Sequence, residues 1–66
     1  MITKNRIAEL RAKHNMTQLE LSYQTRISSS NISALEKGKV YFHPGWQKKI
    51  AEVFGVNESE LFIRED

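Results

Sequence analysis

The sequence predicts an all-α fold of five helices in one domain covering residues 1–66. Three observations lead to this prediction. Apolar residues recur at three- and four-residue spacing along most of the chain, which is the pattern of amphipathic helices. Helix start signals precede the second, third and fifth of these segments. Glycine follows the third and fourth segments, at Gly38 and Gly55, where a left-handed residue ends a helix.

The first helix is expected from about Lys4 to His14. Ile7, Leu10, Arg11 and His14 share one face at helical spacing. The pattern therefore places an arginine where an apolar residue would normally face the core.

The second helix has a strong start signal at Thr17. Thr17 is a preferred N-cap residue, and Glu20 stands three residues later, where its side chain reaches back to the Thr17 amide as a capping box. Met16 and Leu21 are placed to form a hydrophobic staple across this start.

The third helix begins at Ser28 and ends at Gly38. Ser28 is the N-cap, and Ile27 and Ile32 form the second staple. Only residues 25–27 separate the second helix from the third. A connection this short makes the helices cross at a large angle, so the pair is expected to form a helix-turn-helix.

The third helix carries two different stripes. Ile32, Leu35 and Glu36 fall on the inward stripe, and Ser29, Ser30, Ser33 and Lys37 fall on the outward one. Small polar side chains make this helix thin, so its axis can approach a DNA major groove and its hydroxyls can meet base edges. The alternative is that the serines are only a helix start rich in capping residues.

Arg11 and Glu36 are opposite charges on two core-facing stripes. Because an unpaired buried charge costs several kcal/mol, we expect the two side chains to pair. Both are therefore interpreted as structural residues.

The C-terminal part of the chain predicts two further helices. Pro44 suits the first position of the fourth helix, and Asn57 with Glu60 forms a capping-box variant at the start of a short fifth helix that reaches Phe62. The fourth helix carries a core stripe of Trp46, Ile50, Ala51, Val53 and Phe54. In the loop before it, Tyr41 and Phe42 either fold into the core or stay partly exposed.

Composition narrows the function classes. The chain has no cysteine and no apolar run near the ~20 residues of a membrane span, so we expect a cytoplasmic protein with no membrane partner. Its two histidines lack neighbouring ligands at metal-binding spacing, and no nucleophile elbow or phosphate loop is present. We therefore expect no enzyme activity, metal or cofactor.

Charge is distributed unevenly along the chain. The formal net charge is +2. Residues 1–50 carry nine Lys and Arg against three Glu, and residues 51–66 carry one Arg against five acidic residues. A basic body with an acidic end suits a domain that meets phosphate on one side, although it also suits an ordinary solvated surface.

The stretch TQLELSYQTRISSSNISALEKG resembles the helix-turn-helix of the Cro and lambda-repressor-like, or Xre-type, DNA-binding domains. Their usual run is Thr-Gln-x-x-Leu-Ala, a glycine in the turn, Ser or Thr, then Ile-Ser-x-x-Glu-x-Gly. The resemblance extends from about Asn5 to Phe62 and implies a lambda-repressor-like five-helix bundle with an Arg–Glu bridge between helices. Ser22 replaces the usual alanine. Arg26 replaces the turn glycine, and a left-handed non-glycine residue costs roughly 1 kcal/mol.

The resemblance implies sequence-specific binding to double-stranded DNA by a small transcriptional regulator, with Ser28–Lys37 in the major groove. Gln18 is expected to touch the DNA backbone or a neighbouring base. Ser29, Ser30 and Ser33 are expected to face base edges, and Arg26 to reach a phosphate or a partner. The expected contacts to the DNA backbone are Thr17, Asn31, Lys37 and Lys39. The expected DNA-binding residues are Thr17, Gln18, Arg26, Ser28, Ser29, Ser30, Asn31, Ser33, Lys37 and Lys39.

A single domain of this kind covers little DNA, so we expect a homodimer on a palindromic operator. Val56, Leu61 and Phe62 are candidates for the dimer contact, and each is equally suited to the core. The resemblance implies a small Cro-like repressor, which would be associated with the nucleoid when it is bound to DNA. The alternatives are a controller protein of a restriction or mobile-element system, and a protein-interaction module that uses the same helices. An inducer or protein antagonist has no signature in the sequence.

Overall fold

The computed structural model describes residues 5–63, which form four α-helices followed by a 3₁₀ helix. The elements are α1 (Ile7–Lys13), α2 (Gln18–Thr25), α3 (Ser29–Glu36), α4 (Pro44–Phe54) and the 3₁₀ helix Glu58–Leu61. These residues include no β-strand, and their one sheet-like pairing is an isolated antiparallel bridge between Asn5 and Phe62. The all-helical prediction is confirmed. The count of five is not, because the last segment is a single 3₁₀ turn.

The predicted helix starts of α2 and α3 are confirmed. The Thr17 hydroxyl accepts the Glu20 N–H at 3.0 Å, and the Glu20 carboxylate accepts the Thr17 N–H at 3.1 Å. At α3, the Ser28 hydroxyl accepts the Asn31 N–H at 3.2 Å. Each cap satisfies backbone donors that have no partner within the helix.

α1 is shorter than predicted. It begins at Ile7, and the predicted first residue, Lys4, lies outside the described residues. Asn5 explains the later start, because its side-chain oxygen accepts the Ile7 N–H at 3.2 Å. At the other end, α1 stops at Lys13, and His14, the predicted last helical residue, is its C-cap.

The turn between α2 and α3 is also shorter than the sequence suggested. The sequence predicts Thr25 in the turn, but Thr25 is the last residue of α2 and is only 2% exposed. Its hydroxyl donates to the Leu21 carbonyl at 2.7 Å and accepts the Ile27 N–H at 3.3 Å. The buried hydroxyl is therefore fully satisfied in the last turn of α2, and the chain leaves the helix at the left-handed Arg26.

A left-handed residue follows each of the four α-helices. Asn15, Arg26, Gly38 and Gly55 have φ angles of 53°, 61°, 70° and 67°. After α3, the N–H groups of Gly38 and Lys39 donate to the carbonyls of Leu35 and Ala34, which is a Schellman motif. Arg26 therefore does adopt the conformation expected of the missing turn glycine.

The core contains side chains from every helix. The buried apolar residues are Ile7, Leu10, Leu21, Ile27, Ile32, Leu35, Phe42, Ile50, Ala51, Phe54 and Leu61. Trp46, Val53, Val56 and Phe62 are partly buried against them. Within the described residues, no helix is both long and apolar enough to cross a membrane.

The structure shows which of several residues lie in the core and which on the surface, a choice that the sequence left undecided. Phe42 is 7% exposed and lies in the core, whereas Tyr41 is 69% exposed. Of the three dimer candidates, Leu61 is 0% exposed and therefore offers no surface to a second copy. Val56 and Phe62 keep part of their surface.

Candidate nucleic-acid interface

The inner side of α3 fixes this helix on the domain. Ile32 and Leu35 are 0% and 1% exposed, and they pack in the same core as Leu21 and Ile27. Burial of two such side chains contributes roughly 3–6 kcal/mol. The opposite side of α3 therefore faces away from the core.

An ion-pair network holds the end of α3 against α1 and α2. Arg11 Nε and Nη2 donate to the two carboxylate oxygens of Glu36 at 2.6 and 3.1 Å, and Arg11 Nη1 donates to the Met16 carbonyl at 3.0 Å. The Arg11 and Glu36 side chains are 18% and 11% exposed. The hydrogen bonds to Glu36 raise the pKa of Arg11 above its ordinary value, although burial acts in the opposite direction. The predicted pair is thus present and largely buried.

Gln18 belongs to the same network. Its Nε2 donates to Glu36 Oε1 at 3.0 Å, which the sequence did not indicate. This bond orients the Gln18 amide and leaves its carbonyl oxygen, a hydrogen-bond acceptor, for another partner.

The cap hydroxyls of Thr17 and Ser28 retain a free donor. Each oxygen accepts one backbone N–H, as described above, and each O–H proton has no acceptor among residues 5–63. Both residues are exposed. A hydroxyl in this state can donate to a phosphate oxygen while it continues to cap its helix.

None of the ten residues expected to bind DNA is buried in the protomer. Exposed are Thr17, Arg26, Ser28, Ser30, Lys37 and Lys39, and half-buried are Gln18, Ser29, Asn31 and Ser33. All ten lie on α2, on α3 or within three residues of their ends. The structure thus brings the whole set to one helix-turn-helix unit.

Three cations beside α3 are free of carboxylates within residues 5–63. The ion pairs within residues 5–63 are Arg6–Glu9, Arg11–Glu36 and Lys13–Glu9. None of them involves the three cations in question, Arg26, Lys37 and Lys39. Arg26 lines an open groove of about 510 Å³ between the end of α2 and the start of α3, together with Ser22, Tyr23, Ile27 and Ser28. Lys37 and Lys39 lie at the other end of α3.

Sequence reasoning missed Ala34 as part of the outer stripe. It lies four residues after Ser30 and three before Lys37, and it is half-buried. Its methyl group keeps the helix thin and can contact a thymine methyl. Helical spacing alone would have found it.

A second missed feature is an aromatic ladder beside the loop before α4. The Tyr41 and His43 rings lie 4.8 Å apart, and the His43 and Trp46 rings 5.1 Å apart, both nearly perpendicular. Gln47 Nε2 donates to the Phe42 carbonyl at 2.9 Å. These contacts hold in place a loop that carried no regular pattern in the sequence.

Comparison with known proteins agrees with this geometry. A family model described as a helix-turn-helix domain matches residues 5–66. The chain is 42% identical over 65 residues to an uncharacterized HTH-type transcriptional regulator of Methanocaldococcus jannaschii, covering 96% of both chains. It is also 42% identical to two uncharacterized HTH-type transcriptional regulators of Archaeoglobus fulgidus, over 65 and 62 residues. These matches cover 96% and 91% of this chain and 90% and 84% of the relatives. The chain therefore belongs to the helix-turn-helix family, as an Xre-type DNA-binding domain.

Proposed function

We propose that this protein regulates transcription as a homodimer that binds a palindromic operator through α3 and acts as a repressor. The observation that carries the proposal is the outer side of α3, where Ser30, Ser33, Ala34 and Lys37 form a narrow stripe of small and polar side chains. Ser30 and Lys37 are exposed, and Ser33 and Ala34 are half-buried. A helix of this kind fits the major groove of B-form DNA, which is wide enough to admit one α-helix.

Phosphate contacts would come from both ends of α3. Lys37 and Lys39 lie at its C-terminal end, and Arg26 and the Thr17 and Ser28 hydroxyls lie near the starts of the two helices. Contacts of this type fix the register of a protein on the duplex, whereas base contacts supply the sequence preference.

Interface size supports the proposed homodimer. One domain of this kind buries only ~600–1,000 Å² on DNA, and two copies on adjacent half-sites add their contacts. Val56, Phe62 and Ile63 retain exposed surface near the chain end, with Ile63 47% exposed, so the dimer contact is proposed there. Repression then follows from occupancy, since a bound dimer excludes other proteins from the same DNA.

Selection of bound duplexes from a random pool tests the proposal. The expected product is an inverted repeat whose half-sites are centred about one helical turn, or a multiple of one turn, apart. Recovery of unrelated sequences at every round would contradict sequence-specific binding, and a single unrepeated half-site would contradict the dimer.

Salt dependence separates DNA binding from the rival function, a protein-interaction module. Each phosphate contact lowers log K by about 0.9 per decade of salt. Replacement of Lys37 and Lys39 by glutamine should therefore lower the slope by about two units, because two phosphate contacts are lost. Lys48 and Lys49 on α4 are exposed lysines outside the proposed interface, and the same double replacement there is the matched control. Equal slopes for the two double variants would contradict the assigned phosphate contacts.

A further inference from the structure

The C-terminal end of α3 is attached to a residue near the start of the chain. Asn5 Nδ2 donates to the Leu35 carbonyl at 2.7 Å, and Asn5 Oδ1 accepts the Ile7 N–H at 3.2 Å. The Leu35 carbonyl is one of the last four of α3, which have no partner within the helix. It also accepts the Gly38 N–H at 3.0 Å. One side chain thus caps the start of α1 and the end of α3 together.

The backbone that carries Asn5 is held by the other end of the described chain. Asn5 forms the antiparallel bridge with Phe62, and the Arg6 N–H donates to the Leu61 carbonyl at 2.7 Å. Leu61 is fully buried, and the 3₁₀ helix that it ends packs on α4. Asn5 therefore holds α3 from a point that is fixed relative to α1 and α4.

This attachment is separate from the ion-pair network. Arg11 and Gln18 reach the end of α3 through the Glu36 side chain, whereas Asn5 reaches it through the Leu35 main chain. The cap at the other end, Ser28, bonds within its own helix start. Apart from core packing, hydrogen bonds to other parts of the domain are thus concentrated at the C-terminal turn of α3.

We propose that Asn5 is a positioning residue that sets the angle of α3 on the domain and links this angle to the C-terminal segment 58–62. The inference rests on the proposed function, since it concerns how the outer stripe of α3 meets DNA. Hydrogen bonds to base edges weaken steeply when the distance or angle departs from ideal. Attraction to phosphate varies only as the inverse of distance. A tilted α3 would therefore lose specific binding and keep most non-specific binding.

Asn5→Asp tests the Leu35 bond by itself. The aspartate keeps an oxygen that accepts the Ile7 N–H, but it places an oxygen without a proton against the Leu35 carbonyl. Asn5→Ala removes both bonds. The matched control is Asn15→Asp, which makes the same charge change at an exposed asparagine with no hydrogen bond to α3. Asn15 already has a left-handed backbone, which aspartate also tolerates.

The first readout is the ratio of dissociation constants for the selected duplex and a scrambled duplex. We expect Asn5→Asp to lower this discrimination roughly tenfold, the size of one lost hydrogen bond, relative to Asn15→Asp. The salt slope should match that of Asn15→Asp, because no phosphate-binding cation is removed. Equal discrimination by the two variants would overturn the inference.

The second readout needs no DNA. Residual dipolar couplings of the free protein give the orientation of α3 relative to α1 and α4. We expect a rotation of α3 in Asn5→Asp and Asn5→Ala and none in Asn15→Asp, and an unchanged orientation in both Asn5 variants would overturn the inference. If the wild type failed to discriminate between duplexes, the proposed function would fail, while this readout would still test Asn5. If the wild type discriminated and Asn5→Asp matched Asn15→Asp, only the positioning role would fail.

Discussion

The two sides of α3 differ in how far their polar groups are satisfied within the domain. On the inner side, Glu36 is bonded to Arg11 and Gln18, and the Leu35 carbonyl is bonded to Asn5. On the outer side, Ser30, Ser33 and Lys37 make no side-chain hydrogen bond within residues 5–63. Ser30 and Lys37 are exposed to solvent, and Ser33 is half-buried. The difference indicates that α3 is folded and oriented entirely from one side. The other side can therefore change its chemistry with little effect on the fold.

The largest expected effect is on the inner side, in the variant Arg11→Ala. Removal of the guanidinium leaves the Glu36 carboxylate, 11% exposed, with Gln18 as its one remaining hydrogen-bond donor among residues 5–63. Loss of one partner of a buried pair costs about 3–5 kcal/mol, which is a large part of the stability of a domain this small. The free energy of unfolding, measured by urea titration, should fall by this amount.

Lys13→Ala is the matched control for that loss. Lys13 is 63% exposed and pairs with Glu9 at 3.5 Å on the surface of α1. Because exposed ion pairs contribute little, the stability should hardly change. If Arg11→Ala lowered the stability no more than Lys13→Ala does, the Arg11–Glu36 pair would not be buried in solution. The contrast between the two sides of α3 would then not hold.

Arg26→Gly is expected to act in opposite directions on folding and binding. Glycine removes the cost of a left-handed arginine, so the free energy of unfolding should rise by about 1 kcal/mol. Loss of the cation should weaken DNA binding and lower the salt slope by about one unit. Thermal melting and salt titration measure the two effects separately.

Asn15→Gly makes the same backbone change away from the proposed interface. Asparagine tolerates the left-handed region better than arginine, so the gain in stability should be smaller. DNA binding and its salt slope should not change. If Arg26→Gly improved both folding and binding, Arg26 would have no role in contacting phosphate.

The fold was largely predictable because its signals are local. The caps at Thr17 and Ser28 follow from side-chain types at fixed spacing. The left-handed position of Arg26 followed instead from the resemblance, because Arg26 stands where the family has a turn glycine. Even the Arg11–Glu36 pair, 25 residues apart in sequence, followed from two charges on core-facing stripes.

Other features depend on where distant segments meet, and these were not predictable. Asn5 bonds to Leu35 across 30 residues, and Gln18 gives its amide to Glu36 rather than to solvent. Neither residue has a pattern that names its partner. The choice between Phe42 and Tyr41 for the core was open for the same reason, since two adjacent aromatic residues in a loop have no helical period to separate them.

The variant with the smallest expected effect on stability is also the most direct test of the central claim. That claim is that the outer stripe of α3 reads base pairs. The variant is the double substitution Ser30→Ala/Ser33→Ala. Each of its two substitutions should change the free energy of unfolding by no more than about 0.5 kcal/mol, because neither site is buried. The measurement is the ratio of its dissociation constants for the selected and scrambled duplexes, compared with that of the wild type. The account predicts that this ratio falls severalfold or more while the salt slope stays the same, because base contacts are lost and phosphate contacts are kept. An unchanged ratio in the folded double variant would contradict base reading by these serines.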